Sequence, residues 1–463
     1  SIATDDNWVV GRCPILTNDI YNGEVYDARL EDLAWSHPDA DVTTWAKASV
    51  AGPPSQTANA TISIQQMNPI RALDLLKPEY VSEKADGAII LDFGQNIAGW
   101  VRLSLKECSR GTVITVRHAE FLIENRTDLY VGNLRSARAI DSYTCRGGGV
   151  LHEPRFTYHG FRFAEVSVVG NAEWIWSDQY ARVVHSDVRQ RGWLKMENDV
   201  LTRVQTAIRN TQLDNLHSVP TDCPQRNERQ GWMADASVSA EQALLNFDMQ
   251  AFYISWLQTI VDSQKSDSFH DCKIPIVGGG INGSCLGAVT DTSPHVPGVY
   301  GSRPADPSWG AALPILVDLC RRYYGEEIVK PFVSPVHAWA DFLLSMQQNG
   351  VVSYHSYGDW LQPGKVASLP IVSEMSSGFS SILAIHVAST LGDNVSRSQY
   401  KLSFEQLRQN FQARYWNDTI SAFGDGSQAC QVFALYFAGL PHVQERSALR
   451  CLLDSLEKNG IST

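Results

Sequence analysis

Residues 198–216 read NDVLTRVQTAIRNTQLDNL, and this stretch decides the architecture. Asn198 is a good helix N-cap, and the residues after it follow the 3.6-residue period of an amphipathic helix. Upstream of about residue 190 the period is 2. Thr112 to Ala119 (TVITVRHA) and Arg162 to Val168 (RFAEVSV) alternate as half-buried strands do. Tyr180 to Val184 is a shorter strand. Residues 87–104 (GAIILDFGQNIAGWVRLS) read as two apolar strands around a Gly-Gln-Asn turn. Short strands with Gly and Asn between them predict antiparallel sandwiches. Pro53-Pro54 opens a polar run over 53–76 that reads as a linker region. One β-domain is expected over 1–70 and a second over 75–185.

Downstream of the change, helices are expected near 198–214, 232–246, 249–265, 308–324, 327–348, 374–391, 396–416, 427–439 and 442–459. Short links between neighbours, such as Gly392 to Asn394 and Gly439 to Pro441, favour serial helical hairpins. The expected fold is therefore multidomain β plus α: N-terminal antiparallel β-sandwich domains followed by an α/α toroid over 190–463. A six-hairpin toroid has twelve helices, so nine leave it incomplete.

Composition bounds the function. The chain has 463 residues, a prior of roughly three domains. It is 44% hydrophobic and 19% charged, an ordinary globular mixture. A net charge of −12 without a basic cluster argues against nucleic acid or an anionic membrane surface as partner. The uncharged runs Met375 to Gly392 and Gly426 to Gln444 carry Ser, Gln and His and read as packed helices, while Ala48 to Ile70 reads as loop. The nine cysteines contain no Cys-x-x-Cys, so no metal or redox site is expected. Cys272 and Cys285 are close enough in sequence to close a short loop. Sequons at Asn59, Asn125, Asn282, Asn394 and Asn417, with no signal-peptide start, lean only weakly toward secretion.

The densest polar segment of the helical half is Asp222-Cys223-Pro224-Gln225-Arg226-Asn227-Glu228-Arg229-Gln230-Gly231-Trp232-Met233-Ala234-Asp235. A helix starting near Glu228 would set Glu228, Trp232 and Asp235 on one face at i, i+4 and i+7, with Asp222 just before it. An indole and like charges raise a carboxyl pKa, which suits one of these carboxyls to protonate a glycosidic oxygen while the others hold sugar hydroxyls. Arg226 and Arg229 would orient the carboxylates. The bland alternative is a helix N-terminus whose acidic groups oppose the dipole. Cys223 near His217 admits a thiol nucleophile, but a small structural cysteine is the stronger reading. His159 reads as a sandwich-edge residue, and Gly147–Gly149 and Gly278–Gly280 as turn and loop.

The segment resembles the signature of the α-L-rhamnosidases of glycoside hydrolase family 78, Asp-Cys-Pro-Gln-Arg-Asp-Glu-Arg-x-Gly-Trp-x-x-Asp. Residues 18–29, Phe93 to Trp100, Tyr158 to Arg162, Trp309-Gly310 and Gly358 to Leu361 resemble other parts of the family in the same order. The resemblance implies Glu228 as general acid. It implies Asp222, Arg226, Trp232, Asp235, Trp309, Asp359 and Trp360 as residues lining a rhamnose pocket. The tryptophans would pack the 6-methyl group, and the carboxylates would bind hydroxyls. An inverting mechanism on a rhamnose-containing glycoside or polysaccharide is implied, with no cofactor. Asn227 departs from the usual Asp, and Ala311 stands where an Asp often follows Trp-Gly. The family's general base, a Glu, is expected beyond Thr463, and the start falls inside the first β-domain, so the chain reads as a fragment. A second reading is a carbohydrate-binding protein that keeps the pocket but lacks the base.

Overall fold

The computed structural model describes residues 5–49, 63–124, 128–264, 285–295, 299–301, 303–357, 360, 370–437 and 439–461. The chain divides into two compact units. The first comprises Ser1–Asp187, Leu194–Ser218 and Cys223–Arg229; the second comprises Val188–Trp193, Val219–Asp222 and Gln230–Thr463.

The first unit is built on an eleven-stranded sheet. Its strands are β1 (Ile15–Asp19), β2 (Gly23–Asp27), β3 (Ile70–Leu76), β4 (Tyr80–Glu83), β5 (Ile89–Cys108), β6 (Val113–Ala119), β7 (Ile140–Thr144), β8 (Val150–His152), β9 (His159–Val169), β10 (Ala172–Trp174) and β11 (Tyr180–Ser186). The main path runs β1-β2-β7-β6-β9-β5-β11-β3, and β4, β8 and β10 pair with other parts of β5. Every pairing is antiparallel except β2 with β7. β3 corrects the linker expectation: IRALDLL pairs with β11.

β5 corrects the two-strand reading of 87–104. It is a single strand of 20 residues. Phe161 of β9 lies opposite Ile97 while Phe163 lies opposite Asp92, so Phe93 to Asn96 form a bulge rather than a reversal. Both flanks pair with the same neighbour in the same sense, so the chain keeps its direction. Period 2 survives the bulge. Leu91, Phe93, Ile97, Val101, Leu103 and Leu105 all enter one buried cluster with Ile114, Val116, Phe161 and Val166. Each fully buried side chain of this size contributes about 1.5–3 kcal/mol. Cys108 at the end of β5 is bonded to Cys145 just beyond β7, across a sequence separation of 37. A closure of that span restricts the unfolded chain by about 4 kcal/mol in the chain-entropy account. The composition alone did not reveal this pair. Cys285 is disulfide-bonded, and Cys272 lies outside the described residues.

The helix α1 (Asp199–Asp214) begins as expected: Asn198 Oδ1 accepts the N–H groups of Val200 and Leu201 at 2.9 and 3.1 Å. It belongs to the first unit. The second unit contains α2 (Met233–Asn246), α3 (Gln250–Gln264), α4 (Pro307–Gly310), α5 (Ala312–Tyr324), α6 (Glu326–Val329), α7 (Val333–Ser345), α8 (Pro370–Ala388), α9 (Asn394–Tyr415), α10 (Gln428–Tyr436) and α11 (His442–Asn459). Two expected helices are divided. The segment near 308–324 breaks at Ala311, and the segment near 327–348 passes through a short 3-10 turn at Lys330–Phe332. Pro331 in that turn offers no N–H to continue the ladder. α8 packs against α4, α5, α7, α9 and α10. It is long and apolar enough to cross a membrane, and 72% of its most apolar window is buried. Its serines serve the packing: Ser381 Oγ donates to Ser377 O at 2.9 Å, and Ser308 Oγ and Ser376 Oγ meet at 3.0 Å.

Candidate active site

The signature segment does not form the expected helix at Glu228. Helix α2 starts at Met233, with Trp232 as its N-cap, and residues 223–229 are irregular and grouped with the first unit. Arg229 has φ +52°, a left-handed conformation that interrupts any helix there. Glu228, Trp232 and Asp235 therefore do not share a helical face.

In the first unit, the loop is seated against β9. A Cβ on Gly160 would come within 2.8 Å of Gln225 Cβ and 2.9 Å of the Pro224 carbonyl carbon, so only glycine admits this approach. Arg229 is the pin. It is buried, and its guanidinium donates to Ile20 O (2.6 Å), Tyr158 O (2.7 Å), Gln225 O (3.1 Å) and, through Nε, to Arg226 O (3.1 Å). It also lies over the rings of Tyr158 and Tyr21, at 4.7 and 5.4 Å. Burial pushes its pKa down from the ordinary arginine value. Arg229 thus gathers carbonyls, correcting the expectation that it orients carboxylates. Arg226 meets that expectation: its Nε donates to Glu228 Oε2 at 3.0 Å.

Glu228 is buried at 8% exposure, so a positioned group rather than water sets its geometry. A second guanidinium, Arg135, donates to Oε2 at 2.8 Å, and Tyr21 Oη donates to the Glu228 backbone carbonyl at 3.0 Å. Arg135 has φ +56°, so two non-glycine residues of this network hold conformations that cost on the order of 1–3 kcal/mol each. Nothing local in the sequence announces Arg135, which sits 93 positions from its partner. His217 is already engaged: its ring stacks on Tyr158 at 3.8 Å, and Nε2 meets Val184 O at 3.0 Å. Burial lowers its pKa to about 3, so it is a neutral packed ring and not a base for Cys223.

In the second unit, Asp222 closes the two ends of the loop. Its backbone N–H donates to Gln230 O at 3.0 Å, and its Oδ1 accepts the Gln230 N–H at 2.8 Å. Gly231 then lies against Ser293: Ser293 N–H donates to Gly231 O at 2.8 Å, and a Cβ on Gly231 would sit 2.1 Å from Ser293 O. That oxygen also accepts from Trp256 Nε1 at 2.9 Å, so it cannot move away freely. Gly231→Ala is expected to lower stability by about 3 kcal/mol. Thermal unfolding checks this, and an unchanged midpoint contradicts the packing.

Trp232, Trp309 and Trp360 are brought together around Tyr357, which sequence reasoning missed. The ring centroids lie 5.8, 4.4 and 6.0 Å from that of Tyr357. Trp360 is 62% exposed, whereas Trp309 is buried, and its Nε1 has no hydrogen-bond partner among the described residues. Two fully buried carboxyls hold the cluster. Asp291 Oδ2 accepts the Tyr357 hydroxyl at 3.1 Å and Oδ1 accepts Asp306 N–H at 2.9 Å. Asp306 Oδ2 accepts the N–H groups of Ser356 (2.6 Å) and Tyr357 (3.1 Å), and Oδ1 caps α4 at Ser308 N (2.9 Å). Burial and the Asp291 charge push the Tyr357 pKa up. The Asp306-Pro307 pair, an N-cap followed by proline at the first helical position, was the available signal. Asp235 lies exposed in the first turn of α2, and Asp359 lies outside the described residues.

Comparison with known proteins identifies the family. Residues 189–463 match the bacterial alpha-L-rhamnosidase 6 hairpin glycosidase domain, 82–185 the bacterial alpha-L-rhamnosidase concanavalin-like domain, and 1–74 the alpha-L-rhamnosidase N-terminal domain. An alpha-L-rhamnosidase of Streptomyces avermitilis is 31% identical over 458 residues, covering 98% of this chain and 42% of the relative. The structure of the alpha-L-rhamnosidase from Dictyoglumus thermophilum superposes with a TM-score of 0.89 at 30% identity, covering 99% of this chain and 50% of that one. The Streptomyces avermitilis alpha-L-rhamnosidase complexed with L-rhamnose gives a TM-score of 0.83 at 29% identity, covering 99% and 42%. The chain thus spans about half the length of these relatives. Its fold is a mixed β N-terminal region followed by a six-hairpin glycosidase domain, and the chain belongs to the bacterial alpha-L-rhamnosidase family.

Proposed function

We propose that the protein hydrolyses terminal α-L-rhamnosyl residues from glycosides by an inverting acid–base mechanism, with Glu228 as proton donor. The observation that carries this reading is the buried Glu228 carboxylate, fixed at one oxygen by Arg135 and Arg226 within the signature loop. Two guanidiniums at one oxygen fix the orientation of the carboxyl, and its role as proton donor is carried over from the signature motif. In this reading Arg226 holds the acid within the first unit, and Asp222, Trp232, Asp235, Trp309 and Trp360 of the second unit bind the sugar. Rhamnose is a 6-deoxy sugar, so the indole cluster around Tyr357 packs its methyl face while carboxylates bind hydroxyls. The reaction needs no cofactor, because protonation of the leaving oxygen and attack by water complete it. An inverting site holds its base roughly 6.5–9.5 Å from the acid to admit that water.

The test is hydrolysis of an aryl α-L-rhamnoside followed by proton NMR. The first L-rhamnose formed is expected to be the β-anomer, appearing before mutarotation. The α-anomer appearing first would exclude inversion.

A further inference from the structure

The unit that holds Glu228 also carries a groove of about 910 Å³ that no step of rhamnosyl hydrolysis uses. The volume lies within the roughly 300–1,000 Å³ of ligand sites. Its walls include Tyr80, Asp92, Asn96, Glu120, Phe121 and Arg162. Tyr80 and Phe121 are 70% and 57% exposed, so their ring faces are open to a ligand. The polar groups between them are already positioned. Arg162 forks onto Asp92 at 2.7 and 2.9 Å. Glu120 accepts Asn96 Nδ2 at 2.9 Å and Asn133 Nδ2 at 2.7 Å. Exposed rings and fixed polar pairs in one groove match a ligand with C–H faces and a hydroxyl rim, as a pyranose chain has.

The groove is tied to Glu228 within the same unit. Asn133 reaches Glu120 at the groove wall, and Arg135, two residues on, reaches Glu228. The Arg226 charge also acts on Glu120, whose pKa burial raises. We propose that this groove binds the sugar residues beyond the scissile bond, so that the substrate is an oligosaccharide chain ending in α-L-rhamnose. The inference rests on the rhamnosidase reading and adds the chemistry of the leaving group.

The experiment compares L-rhamnose with an α-1,3-linked L-rhamnotriose by NMR titration of the 463-residue chain and its Phe121→Ala variant. The triose is expected to bind at least about tenfold tighter than the monosaccharide, since ring stacking adds to its hold. Phe121→Ala, at an exposed position, is expected to remove most of that ratio and leave the Kd for L-rhamnose unchanged. Equal affinity for the two sugars, or a ratio untouched by the variant, overturns the groove assignment while the rhamnosidase reading stands. Binding of neither sugar overturns both.

Discussion

In a chain that includes the general base, replacing Glu228 with Gln is expected to lower turnover of an unactivated rhamnoside by about 10²–10⁴-fold, the usual worth of a general acid. The amide keeps the size of the side chain and can still face Arg135 and Arg226, but it has no proton to give. An aryl rhamnoside with a good leaving group needs little protonation, so its turnover should fall much less. Steady-state rates on the two substrates decide the matter. An equal loss on both would assign Glu228 a binding role instead of proton donation.

Arg229→Met is expected to destabilise the protein by about 4 kcal/mol, a loss reserved for broken buried networks. Methionine fills much of the same volume but cannot donate. The carbonyls of Ile20, Tyr158, Gln225 and Arg226 would lose a donor that joins three separate segments of the first unit. Because Tyr21 also holds the Glu228 carbonyl, loosening this pin should depress activity before the fold is lost. Denaturant titration with a parallel activity assay checks both effects. A change below about 1 kcal/mol would mean that the four hydrogen bonds carry little.

The architecture was legible because both periods are strong. The strands at 113–119 and 159–169 and the cap at Asn198 follow from alternation and side-chain chemistry within a few residues. The signature loop was legible because it is a dense polar motif. What failed did so for physical reasons. The i, i+4, i+7 spacing of Glu228, Trp232 and Asp235 presumed a helix, yet Arg229 adopts a left-handed backbone to bring its guanidinium to distant carbonyls. The apparent turn at Gly94 is a bulge, because residues on both sides pair with one neighbouring strand. Arg135, Tyr357, Asp291 and the Cys108–Cys145 bond depend on contacts between remote segments, which no local pattern encodes.

The central claim is that this chain builds a site for a 6-deoxy sugar around its indole cluster. Titration of the 463-residue chain with L-rhamnose and with L-mannose, which differs only by a 6-hydroxyl, tests it most directly. The account predicts saturable binding of L-rhamnose, about tenfold weaker binding of L-mannose, and a loss of about tenfold in Trp360→Ala. Equal affinity for the two sugars, or binding indifferent to Trp360, would contradict it.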